Sequence, residues 1–166
     1  MSEQVVSYKQ KVKELLDSLP ENELRMVLEL MEKLKARTGE EGGPFGRFLG
    51  VTFSDWKDGH CCCEIEVGDR FWNPHGVTHG AIAFALVDYS MGGALTSLLE
   101  PDQRCVTIEI KINYLSAVRR GRLIAETRVT SKGERIAVLE SRVKTSSGRP
   151  VAQAIGSFYI IKQKRG

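Results

Sequence analysis

The sequence predicts an α+β fold in which an antiparallel sheet covers a long apolar helix. The run from Gly80 to Leu95 consists of small and apolar residues around a single charge, Asp88. A helix that is apolar on every side is typically buried. Four later segments alternate apolar and polar residues, which is the pattern of strands with one covered face. Together with two strand-like segments before the helix, they can form the sheet that buries it.

The predicted elements follow one another in a simple order. A first strand is predicted at 49–56, and a turn signal at 57–59 leads to a return strand at 61–67. The central helix is predicted at about 79–98, because alanines are frequent there and Pro101 follows its end. A meander of four strands is then expected, at 105–116, 121–131, 135–145 and 151–161.

Residues 1–40 are predicted to form a helical hairpin that precedes the main domain, 45–163. Apolar residues recur at helical spacing on both sides of Pro20, where Ser18 and Glu21 fit a capping box. Acidic residues on both helices disfavour a DNA-binding helix-turn-helix. The sequence favours an amphipathic hairpin that packs on the domain or on a partner subunit.

Composition and charge are those of a soluble globular protein. The chain has 166 residues, with 42% hydrophobic and 27% charged, which is enough for one domain with a real core. A net charge of +3 does not indicate nucleic-acid binding, although it suits an anionic small ligand. No apolar run has membrane-spanning length and no signal peptide is seen, so we expect a cytoplasmic protein without membrane association.

The four cysteines are predicted to be free thiols. Cys61, Cys62 and Cys63 are consecutive, and consecutive side chains of a strand point to opposite faces. This arrangement is a poor disulfide framework, and it fits a reducing compartment. It also disfavours zinc, because a zinc site needs a second ligand pair at suitable spacing. We therefore expect no metal site.

The start of the central helix is a candidate site. Amides at a helix N-terminus lack partners and point a positive dipole outward, so the Gly80 amide can stabilise an oxyanion. Asn73 offers an amide donor just upstream, and His79 can orient a carbonyl or a water, or simply fix the loop. Asp88 is either a structural carboxylate held by a nearby amide or arginine, or a functional one.

Helix geometry separates His79 from Asp88. The two residues are nine positions apart, which is roughly 13 Å along a helix axis and on opposite faces. They cannot serve one small reacting group from a single chain. If both act together, a second copy must supply one of them, which predicts a dimer with a site across its interface.

The segment NPHGVTHGA, 73–81, with Asp88 and the strand VTIEIKINYLSA, 106–117, resembles the hotdog-fold thioesterases. The resemblance is closest to the PaaI-like, phenylacetic-acid-degradation-type acyl-CoA thioesterases, and it covers about 45–161. It implies a sheet wrapped around a long helix, in a dimer that is often paired into a dimer of dimers. The implied reaction is hydrolysis of an acyl thioester of coenzyme A, without a cofactor.

The resemblance also implies roles for single residues. Asp88 matches the general base or nucleophile that comes from the neighbouring subunit, and Gly80 matches the amide donor to the thioester carbonyl. Asn73 and His79 help to place that carbonyl, and Thr107 helps to hold the attacking water. Ala81 stands where the family has a second glycine, which leaves the acyl preference open among aromatic, short and medium chains.

Other side chains are candidates for substrate contacts. Basic turns can contact the phosphates of coenzyme A, or they are simply solvated loop charges. Large side chains beside the site can line an acyl pocket, or they belong to the core. The basic candidates are Arg119, Arg120, Lys132 and Arg135, and the acyl-pocket candidates are Phe71, Trp72 and Tyr89.

Three alternatives to an acyl-CoA thioesterase stay open at this point. A non-catalytic acyl-CoA sensor could keep the fold, although it has no need of Asp88. A thioesterase for acyl-carrier protein would suit the basic turns equally well. A hydratase of the same fold usually carries an Asp and a His a few residues apart, a pattern that is missing here.

Overall fold

The structure is a computed structural model, and it describes residues 3–36 and 42–162. The chain divides into two compact units, residues 1–37 and residues 38–166. No helix within the described ranges is long and apolar enough to cross a membrane.

The first unit contains two helices, α1 (Glu3–Ser18) and α2 (Glu21–Ala36). The Ser18 hydroxyl donates a hydrogen bond to the Leu15 carbonyl at 2.7 Å. The Pro20 carbonyl accepts hydrogen bonds from the amides of Glu23 and Leu24. The predicted capping box is therefore wrong, because Ser18 closes the end of α1 and Pro20 stands at the position that precedes α2.

The first described element of the second unit is a short helix, α3 (Gly43–Leu49), which was not predicted and whose last residue was assigned to the first strand. Pro44 lies in its first turn, where proline is tolerated because the missing amide has no helical partner. Gly50 ends the helix in the left-handed conformation at φ 80°, with its amide bonded to the Gly46 carbonyl. The first strand consequently begins at Thr52 rather than Leu49.

Six antiparallel strands form one sheet in the order β1-β2-β4-β5-β6-β3. The predicted meander is correct for β4, β5 and β6, but β3 lies at the far edge beside β6. The helix between β2 and β3 carries the chain across the sheet to that edge. The strands are β1 (Thr52–Lys57), β2 (His60–Val67), β3 (Gln103–Tyr114), β4 (Gly121–Lys132), β5 (Ile136–Thr145) and β6 (Pro150–Lys162).

The long helix α4 (Gly80–Thr96) packs against one face of this sheet. Its buried residues meet the inward side chains of the strands in a single core. Small residues allow close approach, since a Cβ at Gly93 would lie 2.7 Å from the Cys61 Sγ. The burial is one-sided, however, because Phe84 is exposed and Asp88 is partly exposed in the single protomer. The uniform apolar sequence of this helix predicted burial on every side, whereas in the single protomer one side of the helix is partly open.

Strand β2 alternates as expected. Cys61 and Cys63 are buried against the helix, Cys62 lies on the other face, and all are free thiols. Within the described ranges, no group of three or more His, Cys, Asp or Glu side chains could hold a metal ion.

Candidate active site

The loop before α4 is held in one shape by hydrogen bonds among its own residues. The Asn73 Oδ1 accepts a hydrogen bond from the His75 amide at 2.9 Å, and the Asn73 amide donates to the Val77 carbonyl at 2.8 Å. Gly76 takes a left-handed φ of 69°, which completes the turn. The His79 amide then donates to the Phe71 carbonyl at 2.7 Å, which anchors the end of the loop. Asn73 thus shapes this loop, and its contact with a substrate carbonyl stays a prediction.

His79 occupies the N-cap position of α4. Its Nδ1 accepts a hydrogen bond from the Ala81 amide at 3.1 Å, so the imidazole fixes the start of the helix. No described residue accepts a hydrogen bond from the Gly80 amide, which lies one position earlier. The helix therefore begins with an unpaired N–H at the positive end of its dipole, beside a cavity of about 330 Å³.

The cavity beside Gly80 has further polar groups. The Thr78 Oγ1 is buried and has no hydrogen-bond partner among the described residues. The Tyr114 hydroxyl donates to the Gly80 carbonyl at 3.1 Å. A polar ligand in this cavity would form hydrogen bonds with the buried Thr78 hydroxyl and with the unpaired Gly80 amide.

Sequence reasoning did not single out Tyr114 as a site residue. The residue ends strand β3, where the alternating pattern shows only that it belongs to one face of a sheet. Its approach to Gly80 depends on the placement of β3 at the sheet edge, which the local sequence does not encode.

Asp88 lies on α4 beside a second cavity of about 340 Å³. The Thr107 hydroxyl donates a hydrogen bond to its Oδ1 at 2.7 Å. The structure thus joins two predicted site residues, one from α4 and one from β3. Thr107 leaves the second carboxylate oxygen of Asp88 available for a water or a substrate.

A β-bulge puts Thr107 in reach of Asp88. The pairing of β3 with β6 shifts between Thr107 and Glu109, so Ile108 is an extra residue. Thr107 pairs with Phe158, and Tyr114 pairs with Ala152, and both of these partners are buried. Thr107 and Tyr114 therefore both face α4, although their odd spacing would put them on opposite faces of a regular strand.

Aromatic residues form one wall of the Asp88 cavity. Tyr89, Phe53 and Trp56 line it, and Phe53 contacts both other rings edge to face, at 6.3 and 5.2 Å between centroids. The Tyr89 hydroxyl donates to the Gly42 carbonyl at 3.0 Å, and burial raises the Tyr89 pKa, so this hydroxyl stays neutral. The structure thus places Tyr89 at the cavity that adjoins Asp88.

Trp72 and Phe71 do not line the Asp88 cavity of the same protomer, and their part in an acyl pocket stays a prediction. The Trp72 Nε1 donates to the Arg119 carbonyl at 2.6 Å, and its ring lies under the guanidinium of Arg120 at 4.9 Å. Phe71 is buried in the core. Packing with the basic turn, which is remote in sequence, decides the position of Trp72.

The four basic candidates form two separate pairs. Arg119 and Arg120 precede β4, close to the loop before α4, and Arg120 forms an ion pair with Asp69 at 3.0 Å. Lys132 and Arg135 are exposed at the other end of the same strand. Twelve residues of extended chain span roughly 35 Å or more, so one protomer does not bring the pairs together.

The two cavities share no lining residue. One presents the unpaired Gly80 amide, and the other presents the Asp88 carboxylate. This separation agrees with the distance expected from helix geometry.

A long helix packed along one face of an antiparallel sheet is the arrangement of the hotdog fold. The family model of the thioesterase superfamily matches residues 75–152. A putative esterase of Saccharolobus solfataricus is 36% identical over 119 residues, which cover 71% of this chain and 84% of that protein. The chain belongs to this superfamily and is a thioester hydrolase.

Solved structures share the same fold. A conserved protein from Pseudomonas aeruginosa superposes with a TM-score of 0.69 at 31% identity, over 72% of this chain and 94% of that one. A hypothetical thioesterase from Streptococcus pneumoniae, solved with coenzyme A, has a TM-score of 0.63 at 25% identity, over 69% and 91%. The hotdog fold of this chain is therefore the fold of both proteins.

Proposed function

We propose that the protein is an acyl-CoA thioesterase of the PaaI-like kind, acting on a small aromatic or a short- or medium-chain acyl group. The observation that carries the proposal is the pair of half-sites, one with the Gly80 amide and one with Asp88. The similar thioesterase solved with coenzyme A supports this carrier. Arg119 and Arg120, close to the Gly80 half, suit the phosphates of a nucleotide.

The two half-sites supply complementary parts of one hydrolysis. The thioester carbonyl oxygen accepts a hydrogen bond from the Gly80 amide. This hydrogen bond stabilises the negative charge on that oxygen in the tetrahedral intermediate. Asp88 accepts a proton from a water as that water attacks the carbonyl carbon, and Thr107 holds the carboxylate. The carbon–sulfur bond then breaks, and the proton passes to the leaving thiolate. The products are a carboxylic acid and free coenzyme A.

A dimer completes this site. The two cavities lie apart in one protomer, so Asp88 of one chain acts with Gly80 of the other. Strand β3 is an edge strand whose outer residues Val106 and Ile108 are 48% and 54% exposed. Edge strands with apolar side chains favour pairing with another strand. We infer that two copies meet along β3.

Thiol release from a panel of acyl-CoA esters tests the activity. The panel contains phenylacetyl, benzoyl, short straight-chain and medium straight-chain esters. Asp88→Asn should lower kcat by about a hundredfold, in line with loss of a positioned base. Asp58→Asn is the matched control, because Asp58 is an exposed turn residue outside both cavities. Tight binding of acyl-CoA by the wild type without any turnover would instead identify a sensor.

A mixed dimer tests whether the site is shared. One chain carries Asp88→Asn and the other carries Gly80→Ala, so each homodimer has one half of every site impaired. The mixed dimer holds one site with both halves intact, so it should recover about half of the wild-type activity per dimer. Activity no greater than that of the two parents would show that each site lies within a single chain.

A parallel assay identifies whether coenzyme A or acyl-carrier protein carries the acyl group. Esters of acyl-carrier protein, tested beside those of coenzyme A with the same acyl group, show which carrier gives the higher kcat/KM. A preference of tenfold or more for the protein carrier would assign the basic turns to an acidic protein surface rather than to a nucleotide.

A further inference from the structure

Three residues of α4 follow one another along the Asp88 cavity. Asp88, Gly92 and Thr96 are spaced by four positions, so they share one face of the helix, and all three line the cavity. Each step of four residues advances about 6 Å along the axis. Gly92 therefore lies midway along the wall, between the carboxylate and the far end.

Gly92 has no packing reason to be glycine. A Cβ built on it would meet no heavy atom of the described residues within 4 Å. Its neighbour Gly93 is the opposite case, because a Cβ there would lie 2.7 Å from the Cys61 Sγ and 3.2 Å from Phe53. Gly92 also lies inside a helix and outside the left-handed region, so its backbone accepts any residue. Alanine would favour the helix more.

The space in front of Gly92 belongs to the cavity. The Cys105 Sγ lies 4.0 Å from the Gly92 carbonyl oxygen and 3.7 Å from the Thr96 Oγ1. Phe53, Trp56 and Phe158 contribute aromatic surface to the same cavity. The part beyond Asp88 is thus largely apolar, as a pocket for an acyl group should be.

We propose that Gly92 sets the size limit of the acyl group. An acyl group whose carbonyl lies at Asp88 extends along α4 toward Thr96, and the missing side chain at position 92 leaves room for a ring or a medium-length chain. The inference rests on the proposed thioesterase function and deepens it, because it names bulky acyl groups as the substrates that the cavity admits.

Gly92→Ala tests this inference with two separate readouts. The midpoint of thermal unfolding should rise by about 2 °C, because alanine favours the helix and meets no obstacle. The ratio of kcat/KM for phenylacetyl-CoA to that for acetyl-CoA should fall at least tenfold, since one methyl group changes discrimination in an apolar pocket by about 10- to 200-fold. The octanoyl to acetyl ratio should fall in the same direction.

Gly93→Ala is the control for stability on the adjacent residue, and it should lower the unfolding midpoint, because its Cβ collides with Cys61. Asp58→Asn, which lies outside both cavities, should leave the ratio of the two esters within a factor of about three. A Gly92→Ala protein with an unchanged ratio would overturn the inference while the proposed function stands.

Two further outcomes would overturn the proposed role of Gly92. If Gly92→Ala lowers the unfolding midpoint and yields more monomer in sedimentation, a second copy packs on Gly92 and the size-limit role is wrong. If the wild type hydrolyses no thioester on the panel, the proposed function fails and the inference fails with it.

Discussion

Tyr114 and Gly80 form a close contact that a side chain at position 80 would crowd. The Tyr114 hydroxyl donates to the Gly80 carbonyl at 3.1 Å, and a Cβ on Gly80 would lie 3.0 Å from the Tyr114 Cζ. The tyrosine thus holds the first residue of α4 while the Gly80 amide stays open to the cavity. The end of β3 and the start of the helix are fixed to each other at the proposed oxyanion site.

The first prediction concerns this contact. Gly80→Ala should lower kcat/KM by tenfold or more, because Tyr114 must move and the amide shifts away from the carbonyl it stabilises. Tyr114→Phe, which removes only the hydroxyl, should have a smaller effect on kcat/KM. The measurement is steady-state thiol release for both variants. A Gly80→Ala enzyme as active as the wild type would show that this amide is not the oxyanion donor.

The second prediction concerns the hydroxyl that holds Asp88. Thr107→Val keeps the shape of the side chain but removes the 2.7 Å hydrogen bond to the carboxylate. We expect kcat to fall about tenfold, within the range of a lost positioning hydrogen bond to a charged group. Because Thr107 is exposed in the protomer, the unfolding midpoint should change little. Thr107→Ser should restore most of the activity, and equal losses for valine and serine would contradict the assignment.

The third prediction concerns stability at alkaline pH. Burial raises the pKa of the Cys61 thiol from 9.0 to about 11. The unfolded chain therefore ionises at lower pH than the folded one, so the contribution of this thiol is fully present below pH 9 and is lost as the pH rises through 11. The loss by pH 11 should be about 2–3 kcal/mol of unfolding free energy.

Urea denaturation between pH 8 and pH 11 measures this effect. The Cys61→Ala protein should show a shallower fall in unfolding free energy with pH than the wild type does, whatever its stability at pH 8. Cys62→Ala is the matched control, since Cys62 lies on the opposite face of β2. Identical slopes for wild type and Cys61→Ala would contradict the prediction.

The sequence predicted the elements that local periodicity controls. The apolar run of α4 and the alternating segments of β4, β5 and β6 are confirmed, because burial of one face imposes a period that the residues display. The approximate 13 Å between His79 and Asp88 followed from helix geometry alone. The two separate cavities agree with this expectation.

Contacts between segments that are far apart in the sequence could not be predicted from local periodicity. The place of β3 at the sheet edge depends on where α4 delivers the chain, so neither Tyr114 nor the Asp88–Thr107 pair could be derived from periodicity. The contact between Trp72 and the distant Arg119 could not be derived for the same reason. Helix α3 was missed because seven residues are too few to show a helical period, and Leu49 and Gly50 were assigned to the first strand.

The bulge at Ile108 shifts the alternation of inward and outward side chains in β3 by one residue. On one side of it Thr107 holds the carboxylate, and on the other Tyr114 holds the helix start, and both keep to the same face only because one extra residue separates them. Without the bulge, the same residues from Thr107 to Tyr114 would form a regular strand, and one of these two side chains would turn away from α4. The irregular pairing at Ile108 therefore lets a single strand serve both ends of the helix wall.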